Sequence, residues 1–442
     1  MTYSFDQILS KLAACRASEV SDQLGMLLAG DLAYSGKSGN YATHAIHAFA
    51  AKFPPQLARA FIEQLSEPGE LVLDPMAGSG TALLEAALVG RRAIGLDIDP
   101  LALQVARAKT APVDGEEALF YAEGVADWAR LAVSNPALYD LPAVLDRYTP
   151  AAHAFFGYWF DPMVVQQLAG LLQGIERVCP KHLQPLFRVI FSSIIVTKSG
   201  GVSMARDLAH SRPHRDTGKR IPDAIALFGD KARKTIAAVA KISADVPRPV
   251  VAAADCRAVP LAAGSVDLIV TSPPYANAID YIRAHKFSLI WFGHDPGSLS
   301  QMRRKYIGAE IRGSVSEIPS TKARRAIAEI QKSEPRKAEI VAHYFSDMQR
   351  ALRQMLVVLK PGRAAVVVVG SSTIRGTQVQ TPFALAEIGE ALGFDVVGVK
   401  QRPIDRDRRL MPISRNGNGA GIEARMHEEH VIGFFKPYAN ER

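Results

Sequence analysis

The chain reads as an α/β protein: a mostly parallel sheet covered by helices on both faces, with an antiparallel C-terminal edge pair and a helical insertion. Three observations predict this. Short apolar runs alternate with helical spacing through residues 55–110, the order that produces a parallel sheet. Apolar runs of strand character return at PVVAAAD (249–255), at VDLIV (266–270) and at AAVVVV after LKPGR. The last two runs, VVGVKQ and EEHVIGFF, have the spacing of an antiparallel pair.

Each element follows from local chemistry. PQLARAFIEQL (55–65) spaces its apolar residues for a helix and begins with proline, which is tolerated in a first turn. Pro68-Gly69 breaks it, and ELVLDPMAGSGT runs a short apolar strand into a glycine turn. TALLEAALVG restores helical spacing and stops at Gly90; RRAIGLDIDP is a second strand ending in acids, and LALQVARAKT a second helix. From about 111 to 248 the sequence is mostly helical, with the aromatic run AFFGYWF (154–160) read as core and a basic, turn-rich piece at 198–220. After VDLIV the pattern predicts a long helix at about 340–358 and another near 382–392. The expected organisation is therefore 1–110 as the first part of the sheet unit, 111–248 as a helical insertion lobe, and 249–442 as the remainder, interrupted by a basic insertion at about 296–340.

Composition bounds the function. A hydrophobic content of 48% and a charged content of 22% are those of an ordinary globular protein. The apolar runs fall short of the ~18 residues that suggest a membrane span, and MTYSFDQILSKLAACRA lacks the pattern of a signal peptide, so a cytoplasmic protein is expected. Cys15, Cys179 and Cys256 are far apart, which fits a reducing compartment and gives no structural zinc pattern; no metal is expected. The formal charge is 52 − 44 = +8, and Gln301–Lys337 alone holds ten Lys/Arg against four Asp/Glu, leaving 42 − 40 = +2 elsewhere. So local an excess of positive charge suits a polyanionic partner.

Two motifs carry chemistry. In DPMAGSGT (74–81), Gly78 and Gly80 let the backbone turn sharply beside a ligand, at the start of a helix with unpaired N–H groups. No Gly-Lys-Ser/Thr follows, so it is not a phosphate loop, and the full dinucleotide spacing is missing. Asp97 ends the next strand, where an acid can accept both hydroxyls of a ribose. Asp255 ends a third and can accept from an adenine amino group; the competing reading of each acid is a helix N-cap. The second motif, TSPPY (271–275), leaves a buried strand through two prolines. Neither strand nor helix continues there, and Ser272 and Pro273 are pushed into extended geometry. The corner offers free carbonyls, a hydroxyl at Ser272 and a ring at Tyr275, a set suited to accepting from an amino group while stacking a flat ring.

Together DPMAGSGT, GLDIDP, ADCRAVPL and TSPPY resemble the class I S-adenosylmethionine-dependent methyltransferases that modify exocyclic amino groups of DNA, the cytosine-N4 and adenine-N6 enzymes. HAFAAKFPPQLARAFI (47–62) and LKPGR with AAVVVVG are similar to further family segments, and MHEEHVIGFFK to its closing edge strand. The resemblance covers about 40–110 and 249–437, and no motif matches within 111–248. It implies a Rossmann-like sheet and S-adenosylmethionine as cofactor. It also implies that Asp74, Pro75, Met76, Ala77, Gly78, Ser79, Gly80 and Thr81 hold the methionine part. Asp97 would take the ribose, Ile98 lie against the adenine, Asp255 and Cys256 flank the adenine edge, and Lys52 and Phe53 close the pocket.

At the corner, the resemblance implies a catalytic group of Ser272, Pro273, Pro274 and Tyr275. The Ser272 hydroxyl and Pro273 carbonyl would accept the amino hydrogens and turn the nitrogen lone pair toward the methyl group, so that positioning does much of the work. Tyr275 would stack on a base extruded from duplex DNA. Serine at the head of the motif resembles the cytosine-N4 enzymes more than the adenine-N6 ones, so site-specific N4-cytosine methylation is the leading expectation. An adenine-N6 enzyme, an RNA amino-methyltransferase and a DNA-binding protein with an inactive core are the alternatives. Carbon-5 methylation is rejected, because Cys179-Pro180 has the reverse of the required order. For DNA contact the candidates are Asn277, Tyr281 and Arg283 beyond the corner, Arg303, Arg304 and Lys305 in the basic insertion, and Arg212 in the basic loop. A cognate restriction endonuclease is a candidate partner.

Overall fold

The structure is a computed structural model that describes residues 19–49, 54–197, 200–206, 213–276, 281–309, 315–374, 376–404 and 428–438. Seven strands form the main sheet: β1 (Leu71–Asp74), β2 (Arg92–Asp97), β5 (Val250–Ala253), β6 (Val266–Thr271), β7 (Leu359–Val369), β10 (Asp395–Pro403) and β11 (Glu428–Lys436). The intervening β3 (Ala205–Arg206) and β4 (His214–Arg215) pair with each other, as do β8 (Ser372–Ile374) and β9 (Thr377–Val379). The sheet order is β5-β2-β1-β6-β7-β11-β10. The first five run parallel, in registers such as Leu71 on Arg92, Val72 on Leu268 and Ile94 on Val250. β11 is antiparallel to both β7 and β10.

This is the expected Rossmann-like methyltransferase sheet, with one correction. The segment MHEEHVIGFFK was expected at the edge, yet β11 lies inside the sheet and β10 takes the edge. The sequence explains it: Glu429–Phe435 is buried throughout, whereas most of β10 is only half-buried. A second difference concerns the helix expected at about 340–358, which begins at Pro335 because proline is accepted in a first turn.

Strand alternation divides the core. Val72, Leu268, Val270, Val366 and Val368 face helix Pro55–Leu65, helix Thr81–Leu88 and the helical run at 19–29. Leu73, Ile269, Ala365, Val367 and Ile432 face helices Pro335–Val358 and Thr381–Leu392. The helices of residues 115–239 gather around Phe156, Phe160, Phe187 and Phe191, in a core continuous with helices Pro100–Thr110 and Tyr281–Leu289. Among the described residues no helix is long and apolar enough to cross a membrane.

The glycine turn is sterically fixed. Gly80 has a φ of 74°, and a Cβ there would lie 2.9 Å from Ala106 Cβ on helix Pro100–Thr110. Gly80→Ala is expected to cost about 1–3 kcal/mol through overpacking and left-handed strain. Urea unfolding with an unchanged midpoint would refute that.

Candidate active site

The ends of β1, β2, β5 and β6 open on one cavity, about 840 Å³ counted to its open mouth. Of the glycine-turn residues, Asp74, Pro75, Met76, Ala77, Gly78, Ser79 and Thr81 line it. Gly80 stands behind the wall, where its amide donates to the Ala77 carbonyl at 2.7 Å. Asp97, Ile98, Asp255 and Cys256 line the cavity too, and so do Ser272 and Pro274 of the TSPPY corner. The two halves recognised in the sequence therefore share one space.

The acids are held by the fold. Asp97 accepts from the Gly78 amide (2.8 Å, Oδ2) and the Asp99 amide (2.8 Å, Oδ1). Burial and the neighbouring Asp99 charge push its carboxyl up to about 6. Asp74 is pushed up to about 7, chiefly by burial. Its Oδ1 accepts from the Thr271 hydroxyl at 2.7 Å, so the end of β1 is fastened to the residue preceding Ser272. Burial also pushes the Cys256 thiol up to about 12, with help from Asp255; this fits an inert wall and not a nucleophile.

Asp255 has a structural partner that no motif in the chain points to. Arg257 donates to it from Nε and Nη2 (2.9 and 2.6 Å), from Nη1 to Asp347 (2.8 Å) and from Nη2 to the Lys305 carbonyl (2.7 Å). Burial opposes ionisation of Asp255, but these Arg257 contacts outweigh it and hold the carboxyl below its usual range. One guanidinium thus ties the cavity wall after β5 to helix Pro335–Val358 and to the first part of the basic insertion.

At the corner, Pro273 is buried outside the cavity lining. Tyr275 also lies outside that lining: its hydroxyl donates to Glu429 Oε2 on β11 at 2.9 Å. Glu429 in turn pairs with the buried Arg402 of β10. The tyrosine is therefore anchored through its phenol to the antiparallel part of the sheet. Burial and Glu429 raise its pKa well above the usual value.

The residues expected to touch DNA are dispersed. Tyr281 lines the cavity and stacks on Phe49 (centroids 6.0 Å apart, planes at 25°). Arg283 is half-buried on the same helix and outside the lining. Arg303 and Arg304 are exposed at the end of helix Pro296–Arg303, and the exposed Lys305 reaches the cavity lining. Lys52, Phe53, Asn277 and Arg212 lie outside the described residues.

Sequence reasoning missed Phe49, Asp99, Arg257, Tyr306 and Ile307, all of which line the cavity. Asp99 caps helix Pro100–Thr110 through the Leu101 and Ala102 amides and holds His285 Nδ1 at 2.6 Å. Burial opposes its ionisation, but His285 and the hydrogen bonds bring its pKa below the usual carboxylate range. Its signal was available as the second acid of GLDIDP. Tyr306 and Ile307 carried none, because they lie within the basic insertion, where no motif marks them.

Residues 31–108 match the N6_N4_Mtase family, described as DNA methylase. The type II methyltransferase M.MvaI of Kocuria varians is 22% identical over 90% of this chain and 92% of its own length. M.MjaII of Methanocaldococcus jannaschii is 35% identical over 24% of this chain, a match spanning 20% of that protein. M.MthZI of Methanothermobacter thermautotrophicus is 44% identical over 11% of this chain and 14% of its own length.

Proposed function

We propose that this chain, which belongs to the DNA amino-methyltransferases, methylates the N4 amino group of cytosine at a specific sequence in duplex DNA. The observation that carries the reading is the meeting of Ser272 with Asp97 and the glycine turn on one cavity.

S-adenosylmethionine is the cofactor of this family, and when bound it supplies a methyl group activated by a positively charged sulfur. The residues present fit it. The cavity has apolar walls at Ile98, Met76 and Cys256, a carboxylate at Asp97 for two vicinal hydroxyls, and a turn whose glycines hold positive φ. Asp97 would hold the ribose hydroxyls, Ile98 and Cys256 would enclose the adenine, and the turn from Asp74 to Thr81 would take the methionine part.

The chain's own work is positioning. An exocyclic amino nitrogen is a weak nucleophile because its lone pair is delocalised into the ring. Hydrogen-bond acceptors at the Ser272 hydroxyl and the Pro273 carbonyl would favour a pyramidal nitrogen aimed into the cavity, and fixed geometry then lowers the barrier. Pro274 has no N–H, so no backbone amide at that point competes for the Ser272 hydroxyl. Tyr275, anchored by Glu429, is assigned to stack on the extruded base, which cannot react inside the helix. Serine at the head of the motif favours cytosine, as in the N4 enzymes it resembles.

Sequencing of DNA from a host expressing the protein, with modified-base detection, tests the assignment. N4-methylcytosine at a fixed sequence is expected; N6-methyladenine would overturn the choice of base. Cofactor binding with no modification of any nucleic acid would favour a DNA-binding protein with an inactive core.

Duplex binding is assigned to the exposed basic residues beside the cavity. Arg303→Ala with Arg304→Ala should weaken duplex binding on all sequences and flatten its salt dependence by roughly 0.9 of a log–log unit per lost phosphate contact. Lys305 is left in place because it also lines the cofactor cavity. Titrations at two salt concentrations with an unchanged slope would remove both arginines from the interface.

A further inference from the structure

The Arg257 side chain is 11% exposed, and its donors are shared among Asp255, Asp347 and the Lys305 carbonyl. A nearly buried guanidinium spent on three segments fixes where those segments sit relative to one another. The segment it holds at Lys305 belongs to two surfaces. Lys305, Tyr306 and Ile307 line the cofactor cavity, opposite in sequence to every other part of its wall. Tyr306 packs on the core of the helical lobe, whereas Ile307 is buried with Val341 and Tyr344 of helix Pro335–Val358. A side-chain hydrogen bond from Tyr306 also helps to keep Asp99 ionised. Arg303 and Arg304, assigned above to duplex phosphates, come directly before this wall and are exposed. From Arg303 to Ile307 the chain therefore passes from exposed cations to cavity wall, with the Arg257 contact between them.

Building on the cofactor and duplex readings above, we propose that Arg257 is a positioning residue that couples the two sites, by latching residues 305–307 onto the cavity. The cofactor meets Tyr306 and Ile307 only while this wall is latched. Arg303 and Arg304 are then presented in one place beside the pocket that holds Ser272. Both ligands favour the same position of one segment, so each strengthens the other, and by the same factor. Arginine suits the task. Its planar fork grips the Asp255 carboxylate and reaches the Lys305 carbonyl and Asp347 at once, which a single lysine ammonium cannot do.

The test uses S-adenosylhomocysteine, which carries no transferable methyl group, and an end-labelled duplex of random sequence. Duplex affinity is read by fluorescence anisotropy at low salt, with and without saturating S-adenosylhomocysteine. In the wild type the small ligand should tighten duplex binding about fivefold or more, the lower end of ordinary coupling between sites. Arg257→Lys should bring that ratio to within about twofold of unity. A general loss of affinity in the variant cancels in the ratio. A merely structural arginine would lower stability or both affinities and leave the ratio at its wild-type value, which would overturn the proposal. If Arg257→Lys does not fold, Arg303→Ala with Arg304→Ala decides, because these exposed residues belong to neither core. Their loss should also collapse the ratio, and a wild-type ratio would overturn the latch as well. Failure of the wild type to bind S-adenosylhomocysteine would sink the cofactor reading and the latch with it. Binding of both ligands without coupling would sink the latch alone.

Discussion

Ser272→Ala is expected to lower the single-turnover methylation rate by about 10²–10³-fold, the loss typical of removing one well-placed polar group from a reacting centre. Cofactor affinity should stay within about twofold, because the assigned cofactor contacts come from the glycine turn and the acids. Duplex affinity should also hold, since phosphate contacts are assigned to Arg303 and Arg304. The fall should therefore appear in the rate at saturating substrate and not in KM, the mark of a contact that matters mainly in the transition state. The variant should fold normally. Ser272 is half-buried on a cavity wall, and the contact that fastens this corner to β1 belongs to Thr271 and Asp74. A wild-type rate in Ser272→Ala would reduce the corner to a turn and remove the proposed mechanism.

Much of the cavity could be read from the chain because its parts are local. Asp97 and the glycine turn lie at ends of adjacent parallel strands, and parallel strands present their C-terminal ends on one side of the sheet. Any sequence that fixes the order of β1, β2 and β6 therefore brings Gly78, Asp97 and Ser272 together. The missed residues lack that link. Arg257 matters through Asp347 and the Lys305 carbonyl, partners 90 and 48 residues away. Nothing in the sequence near Arg257 points to them. Tyr275 shows the opposite limit: the motif located the residue, but its hydroxyl is held by Glu429, 154 residues on, so the direction of the phenol could not be read. The basic insertion was legible as charge and less so as structure. Helix Thr321–Ser333 carries part of that charge, yet it buries Ala323, Ala326 and Ile330 and pairs Lys322 with Glu387. Part of the positive run is thus a packed helix face.

Asp97→Ala should weaken S-adenosylmethionine binding by roughly ten- to a hundredfold, matching the ~1.5–3 kcal/mol of a lost charge-assisted hydrogen bond. The pH dependence gives a second, sharper test. Burial and Asp99 raise the carboxyl to about 6 in the folded protein. Ribose hydroxyls donate best to the ionised form, so wild-type affinity should rise as pH increases through about 6 and level off above it. The sign for stability is opposite. Because the folded pKa is raised, the native state holds the proton more tightly than the unfolded chain between about 4 and 6, so stability from this group falls as pH rises through that window. Cofactor binding and apo stability should therefore change in opposite directions over the same pH range. Asp97→Ala should abolish the component near 6, leaving any component near 7 that belongs to Asp74. Titrations of both proteins with cofactor, and urea unfolding of both without it, from about pH 4.5 to 8 would show it. Unchanged affinity in a folded Asp97→Ala, or a pH profile identical to the wild type, would remove Asp97 from the site, because no other group assigned to the ribose shares its charge and its two backbone anchors.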